Sequence, residues 1–223
     1  MKFILFYLAF LFSLYSRPTT NRTDFLFYGG KYTETDLIPI LTKQDTDYKN
    51  SWISVIGISQ GLGSTLRIFN FEAELNLVKH QGIMKHYEAN GLLLARTGWN
   101  LFTHRMSFAF GEGFSLASEN PKLENREKGF RILNRDFDFF TGAYILSQTK
   151  IYPFDTEIQL DSIRSRNILN FIMVELDYGF PQIANFPRIF IRIHHRSGVF
   201  GLYCPPDPAC GSNFVSYGVK FSL

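Results

Sequence analysis

Charged and amide side chains recur at every second position inside runs that are otherwise apolar, and this alternation limits the fold more than any other feature of the chain. Ile189, Ile191 and Ile193 alternate with Arg188, Phe190, Arg192 and His194. Phe69, Phe71, Ala73, Leu75 and Leu77 alternate with Asn70, Glu72, Glu74 and Asn76, and Val215, Tyr217, Val219, Phe221 and Leu223 alternate with Ser216, Gly218, Lys220 and Ser222. A period of two puts successive side chains on opposite faces of a strand, so each run has one apolar and one polar face. Two architectures accept such strands: a soluble sandwich with its polar side to water, or a transmembrane barrel with an apolar belt outward and a polar lumen. With 24 Phe and 11 Tyr, an aromatic content of 17% and 17 Gly, the composition suits strands rather than packed helices. Hydrophobic residues make up 45% of the chain, which excludes disorder, and a net charge of +3 without a like-charged block gives no nucleic-acid footprint.

Eight strands are predicted, over roughly 24–32, 51–60, 64–79, 82–97, 102–115, 164–179, 187–199 and 212–223. Several match the roughly nine to eleven residues that a tilted membrane strand requires. The connections sort by end. Gln60–Gly63, Gly98–Leu101 and Phe180–Phe186 are short turns, whereas 33–50, 116–163 and 200–211 are long and only the turn near His80-Gln81 breaks the pattern. Short turns at one end and long loops at the other describe an outer-membrane barrel, so the expected fold is an eight-stranded antiparallel up-and-down transmembrane β-barrel with a long outer loop at 116–163. If Arg131–Ser147 adds a hairpin to the wall, the count becomes ten. The chain's last residue, Leu223, counts against a barrel that would end on Phe, here displaced to Phe221.

Met1-Lys2, an apolar run from Phe3 to Tyr15 and then Ser16 read as a signal peptide over 1–16, with the barrel over 17–223; the rival reading is an uncleaved anchor. Its apolar run falls short of the roughly 20 residues of a membrane-spanning helix. Export agrees with the cysteines. Cys204 and Cys210 bracket a segment stiffened by three prolines, and a disulfide there would stabilise by about 2–3 kcal/mol. Neither a zinc site nor a redox pair fits that spacing.

The parity of Ile189, Ile191 and Ile193 continues into His195 and Ser197, which places a histidine and a serine on the apolar, lipid-facing side near the outer end of the strand. If the last two strands pair with same-face residues opposite, Asn213 faces His195. These three make a candidate nucleophile (Ser197), base (His195) and orienting group (Asn213), against the plain alternative of a polar rim.

The tract Arg192-Ile-His-His-Arg-Ser-Gly-Val-Phe-Gly-Leu-Tyr203, with Gly211-Ser-Asn213 and the terminal strand, resembles the C-terminal part of outer-membrane barrels related to the bacterial lipid A 3-O-deacylases. Phe108-Ala-Phe-Gly-Glu-Gly-Phe-Ser115 and Glu175-Leu-Asp177 are similar to stretches of the same group. The resemblance covers the second half of the chain and reaches the first half only as a pattern. It implies an eight-stranded barrel that hydrolyses the ester-linked acyl chain at position 3 of lipid A, with a His-x-Ser pair and a Glu on its lipid-facing surface and no cofactor. His195 and Ser197 stand where that pair would be. The acid departs from the pattern, since no Glu follows Ser197; Asn213 is the outward substitute and Asp207 a less regular one. An Asn holds a histidine tautomer but does not stabilise imidazolium as a carboxylate does.

Other polar residues read as structural. Glu175 and Arg192 share the lumen face of neighbouring strands and are expected to form an interior ion pair. Glu112, between Gly111 and Gly113, is expected at a bulge, as a lumen charge or a rim ligand. His194 and His195 point to opposite faces, and His80, His86 and His104 lack ligand spacing, so no metal site is expected. Asn21-Arg-Thr23 reads as a flexible polar start rather than a used glycosylation sequon. The functional expectation is lipid A ester hydrolysis in the bacterial outer membrane, with lipopolysaccharide as the partner. Its competitor is a non-catalytic barrel that stiffens the membrane or displays 116–163 to a partner. A channel ranks third, because side chains fill the lumen of a barrel this narrow.

Overall fold

Alternation along each strand becomes an inside and an outside once the strands close on one another. The computed structural model describes residues 22–35, 37–43, 46–65, 68–101, 104–124, 130–132, 135–137, 165–180, 187–198 and 210–223. In chain order the elements are β1 (Thr23–Thr33), helix α1 (Leu37–Lys43), β2 (Tyr48–Thr65), β3 (Phe69–Gly82), β4 (Tyr87–Leu101), β5 (His104–Ala117), a 3-10 turn (Lys122–Glu124), β6 (Phe130–Ile132), β7 (Arg135–Phe137), β8 (Ile168–Gly179), β9 (Arg188–Ser197) and β10 (Gly211–Ser222). Eight of the strands form a closed antiparallel barrel in which β5 pairs with β8 and β1 closes onto β10. Closure removes every sheet edge, which excludes the sandwich. The hairpin β6–β7 pairs only with itself, so the added hairpin exists but does not enter the wall, and the barrel has eight strands rather than ten.

The two faces are sharply divided. Leu75 is 63% exposed while the adjacent Glu74 is 1% exposed, and the same contrast runs through β1, β2, β5 and β9. Phe25, Phe27, Ile56, Ile58, Phe108, Phe110 and Ile189 contribute to an apolar outer belt that hydrocarbon solvates better than water. Strand ends differ from the sequence reading, because glycines there do not end strands. A bulge between Gly61 and Gly63, with Gly63 at φ 143°, carries β2 on to Thr65, and Gly98 pairs with Ser107 inside the β4–β5 ladder. The third strand likewise continues past His80-Gln81 to Gly82.

Charges fill the lumen. Glu175 and Arg192 stand directly opposite each other, and Arg192 reaches both Glu175 (2.6 Å) and, across the lumen, Glu74 on β3 (2.5 Å). Arg96 bonds Glu72 at 2.7 Å and Glu175 at 2.9 Å, and Lys220 adds a 2.5 Å contact to Glu175. Nearer the short-turn end, Arg188 joins Asp177 (2.6 Å) and Asp24. The Arg192 guanidinium also lies over the Tyr28 ring, 4.9 Å from its centroid.

At the long-loop end the 3-10 turn closes the lumen from above. The Glu124 carboxylate accepts two bonds from Arg196 (2.9 and 3.0 Å), one from Ser212 (2.6 Å) and one from Ser165 (2.6 Å). Helix α1, within the stretch 33–50 expected as a long loop, lies outside the wall. Its Leu37 and Ile40 pack on Ile193 and Val215, so these two outward residues of β9 and β10 are 7% and 8% exposed. Pro39 is tolerated because it falls in the first turn. Residues 1–16, where the sequence predicts a signal peptide, Asn21, Cys204 with its expected disulfide, Asp207 and most of 116–163 lie outside the described residues.

Replacing Arg192 with Met strands Glu74 in the lumen, while Glu175 keeps Arg96 and Lys220, and the expected cost is about 3–5 kcal/mol. Urea titration of the refolded barrel, followed by heat-modifiable gel mobility, checks this; pairing the change with Glu74→Met is expected to cost less than the two single changes summed. Gly211→Ala is expected to loosen the top of β10, because a Cβ there lies 2.0 Å from the Arg196 carbonyl oxygen at φ +134°; the same titration reads a lowered midpoint.

Candidate functional site

On the apolar outer wall, polar side chains gather at the long-loop end of β9 and β10. His195 and Asn213 are direct partners in the β9–β10 register, and Ser197, the last residue of β9, is opposite Gly211. All three project outward, as the parity of Ile189 and Ile191 requires. His195 and Ser197 are half-buried and Asn213 is 4% exposed.

The Asn213 amide joins two elements. Its Nδ2 donates to the Thr35 carbonyl oxygen at 2.9 Å, which turns Oδ1 toward His195 Nδ1 at 2.5 Å. Because Oδ1 only accepts, the imidazole must carry its proton on Nδ1, and Nε2 becomes the basic nitrogen. Thr35 is itself held in place: its backbone N–H donates to Thr33 Oγ1 at 3.1 Å, and its Oγ1 accepts from the Asp47 backbone N–H at 2.9 Å. The loop after β1 therefore fixes the ring orientation, and α1 from the same loop covers the wall just below.

Two further outward residues adjoin the group. Asn170 on β8 is opposite Ser197, is 6% exposed, and donates through Nδ2 to Glu112 Oε1 at 3.3 Å. Glu112 corrects the expected bulge. Pairing continues regularly through Leu93, Glu112 and Ile172, so Glu112 shares the outward face with Phe108, Phe110 and Phe114 and is neither a lumen charge nor displaced. A carboxylate within a phenylalanine stripe was the signal for it. Asn170 carried none, since it sits in an unbroken run from Ile168 to Glu175.

Inside the barrel, His194 points away from His195, as alternation demands, and bonds Glu88 (3.0 Å) and the Tyr28 hydroxyl (3.1 Å). His80 and His86, read from sequence as scattered, stack with centroids 3.9 Å apart and planes at 16°, and His80 Nε2 meets Glu88 Oε2 at 2.8 Å. The β3–β4 turn creates this pair: the His80 backbone N–H donates to the His86 carbonyl at 2.9 Å. Burial, with His80 alongside, pushes His86 down to about 3, so its imidazole is neutral at physiological pH. His104 is apart from both, stacked on Tyr178 at the short-turn end.

No family model matches the chain, and a sequence search of curated proteins finds no match. Among solved structures, the chain is similar to the crystal structure of the outer membrane enzyme PagL, with a TM-score of 0.51 and 11% identity over 90% of this chain and 99% of that one. At that identity the likeness shows the fold: an eight-stranded up-and-down barrel of the kind found in an outer-membrane enzyme.

Proposed function

We propose that the protein is a bacterial outer-membrane ester hydrolase that removes a 3-linked hydroxyacyl chain from lipid A. The observation that carries the reading is the 2.5 Å contact between His195 Nδ1 and Asn213 Oδ1 on the lipid-facing wall, beside Ser197, where an unengaged polar group would be costly. Two supports are added: the resemblance of 192–203 and 211–213 to the lipid A 3-O-deacylases, and a fold shared with an outer-membrane enzyme.

In this reading Ser197 Oγ attacks the acyl carbonyl of a lipid A molecule lying against the wall, and His195 Nε2 accepts the serine proton. Asn213 keeps the ring in the tautomer that leaves Nε2 basic. Collapse of the tetrahedral intermediate breaks the ester bond; His195 gives the proton to the departing sugar oxygen, which leaves as a hydroxyl, and the acyl group stays on Ser197. Water, deprotonated by His195, then attacks the acyl-enzyme, releasing the 3-hydroxy fatty acid and restoring the serine. Asn170 and Glu112 give the polar part of the substrate hydrogen-bonding groups on the far side of Ser197. The chemistry uses only side chains.

One observation favours the competing reading of a non-catalytic barrel that presents its long loop to a partner: an amide stands where the resembling enzymes hold a carboxylate. An amide leaves the developing imidazolium without a countercharge.

Mass spectrometry of lipid A from cells expressing the wild type is expected to show loss of one 3-linked hydroxyacyl mass, and Ser197→Ala at equal outer-membrane level is expected to abolish that loss. Identical spectra, in a host whose lipid A carries the chain, would leave the non-catalytic reading. Asn213→Ala is expected to slow deacylation by about 10- to 100-fold without altering heat-modifiable mobility; turnover of purified lipid A in detergent micelles measures it.

A further inference from the structure

The geometry points to a binding site for one divalent transition-metal ion of the zinc class inside the barrel, formed by His80, His86 and Glu88 beneath the long loops. The ligand-capable atoms of these residues lie within 4.8 Å of one another, and all three side chains face the lumen. Each residue is less than 5% exposed. Imidazole nitrogens with a carboxylate oxygen form a donor set that suits Zn²⁺, Co²⁺ or Ni²⁺ better than the harder Ca²⁺ or Mg²⁺.

A second observation points to a ligand. Among the described residues, His80 Nδ1 and His86 Nε2 are buried without a hydrogen-bond partner. Buried imidazole nitrogens normally find a partner, and an ion between these two residues would supply one. The backbone brings the two rings together. Gly82, at φ +88°, makes the turn that returns His86 over His80, and a Cβ there would lie 2.3 Å from the Asn50 carbonyl oxygen.

Surrounding charges admit a dication. Arg196 Nε lies 3.9 Å from Glu88 Oε2 while its guanidinium is bound twice by Glu124, so the close contacts of Glu88 come from the imidazoles of His80 and His194. His194 holds the other Glu88 oxygen, Oε1, at 3.0 Å and is fixed in turn by Tyr28, which is the outer-sphere support that a metal-bound carboxylate needs. A cavity of about 240 Å³ lined by 82–86 and 119–122 reaches His86 from the long-loop end and gives an ion a way in. Binding there would tie β3, the turn and β4 together at the end where the loops are longest. It makes no use of Ser197, His195 or Asn213, so this inference and the proposed hydrolase stand or fall separately.

The test uses the full mature chain without a histidine tag, refolded in detergent and stripped with chelator. Equilibrium dialysis with Zn²⁺ is expected to show one equivalent bound, and Co²⁺ is expected to give the intense visible bands of a low-coordinate site. His86→Gln, which leaves the contacts of His80 and His194 with Glu88 in place, is expected to weaken Zn²⁺ at least tenfold while keeping heat-modifiable mobility, and His104→Gln at the far end is expected to bind as the wild type does. If His86→Gln fails to refold, X-ray absorption of the Zn²⁺-loaded wild type decides, with two imidazole nitrogens and a carboxylate oxygen expected near about 2.0–2.2 Å. Absence of stoichiometric binding by the wild type, undiminished binding in His86→Gln, equal loss in His104→Gln, or a zinc shell with fewer than two imidazoles would each overturn the assignment.

Discussion

Arg192 is the charge on which the barrel interior depends. Its guanidinium spans the lumen from β9 to Glu74 on β3, and it also holds Glu175 on the neighbouring β8, so strands far apart around the wall are tied through one side chain. Arg96 and Lys220 meet the same Glu175 carboxylate from other strands. These groups are buried, and removing Arg192 leaves the Glu74 carboxylate without a cationic partner among the described residues. Mutual satisfaction therefore fixes the relative height of the strands more tightly than backbone hydrogen bonding does, because a ladder can slip by two residues and still pair.

The filled lumen directs function to the outer wall. Among the described residues ion pairs cross the middle of the lumen, so the space there is taken up by side chains. The outer wall is largely apolar through its middle, and near the end of β9 the His195 and Asn213 pair, Ser197, and the bonded Asn170 and Glu112 interrupt it. Polar groups on a face bathed in hydrocarbon demand partners. Here the partners come from neighbouring strands and from the loop after β1, which supplies the Thr35 carbonyl to Asn213 and lays α1 over Ile193 and Val215. The same loop thus sets the imidazole tautomer and shelters the wall beneath it.

Legibility in the sequence followed the range of each constraint. The facing of His195 and Asn213, and of Glu175 and Arg192, was readable because each pair lies in neighbouring strands whose parities can be counted. Glu112 was equally readable from Phe108, Phe110 and Phe114, yet its flanking glycines suggested a bulge that regular pairing does without. Glycines misled at the turns as well, since Gly61 and Gly63 bend β2 rather than end it. Helix α1 was missed because its short apolar run carries no strand alternation and is too brief to show helical periodicity.

The sequence by itself determined the barrel class, the inside and outside of each long strand, and the shared outward face of His195, Ser197 and Asn213. These follow from a period of two, which is local and survives any arrangement of strands. Only the tertiary structure decided which strands close the ring, that Arg192 crosses to Glu74, that Glu124 descends to bind Arg196, and that His80 and His86 stack beside Glu88. These contacts depend on curvature, strand height and turn geometry. They bring together residues 198 positions apart, as Asp24 and Ser222 are where β1 meets β10, and no pattern along the chain records that distance.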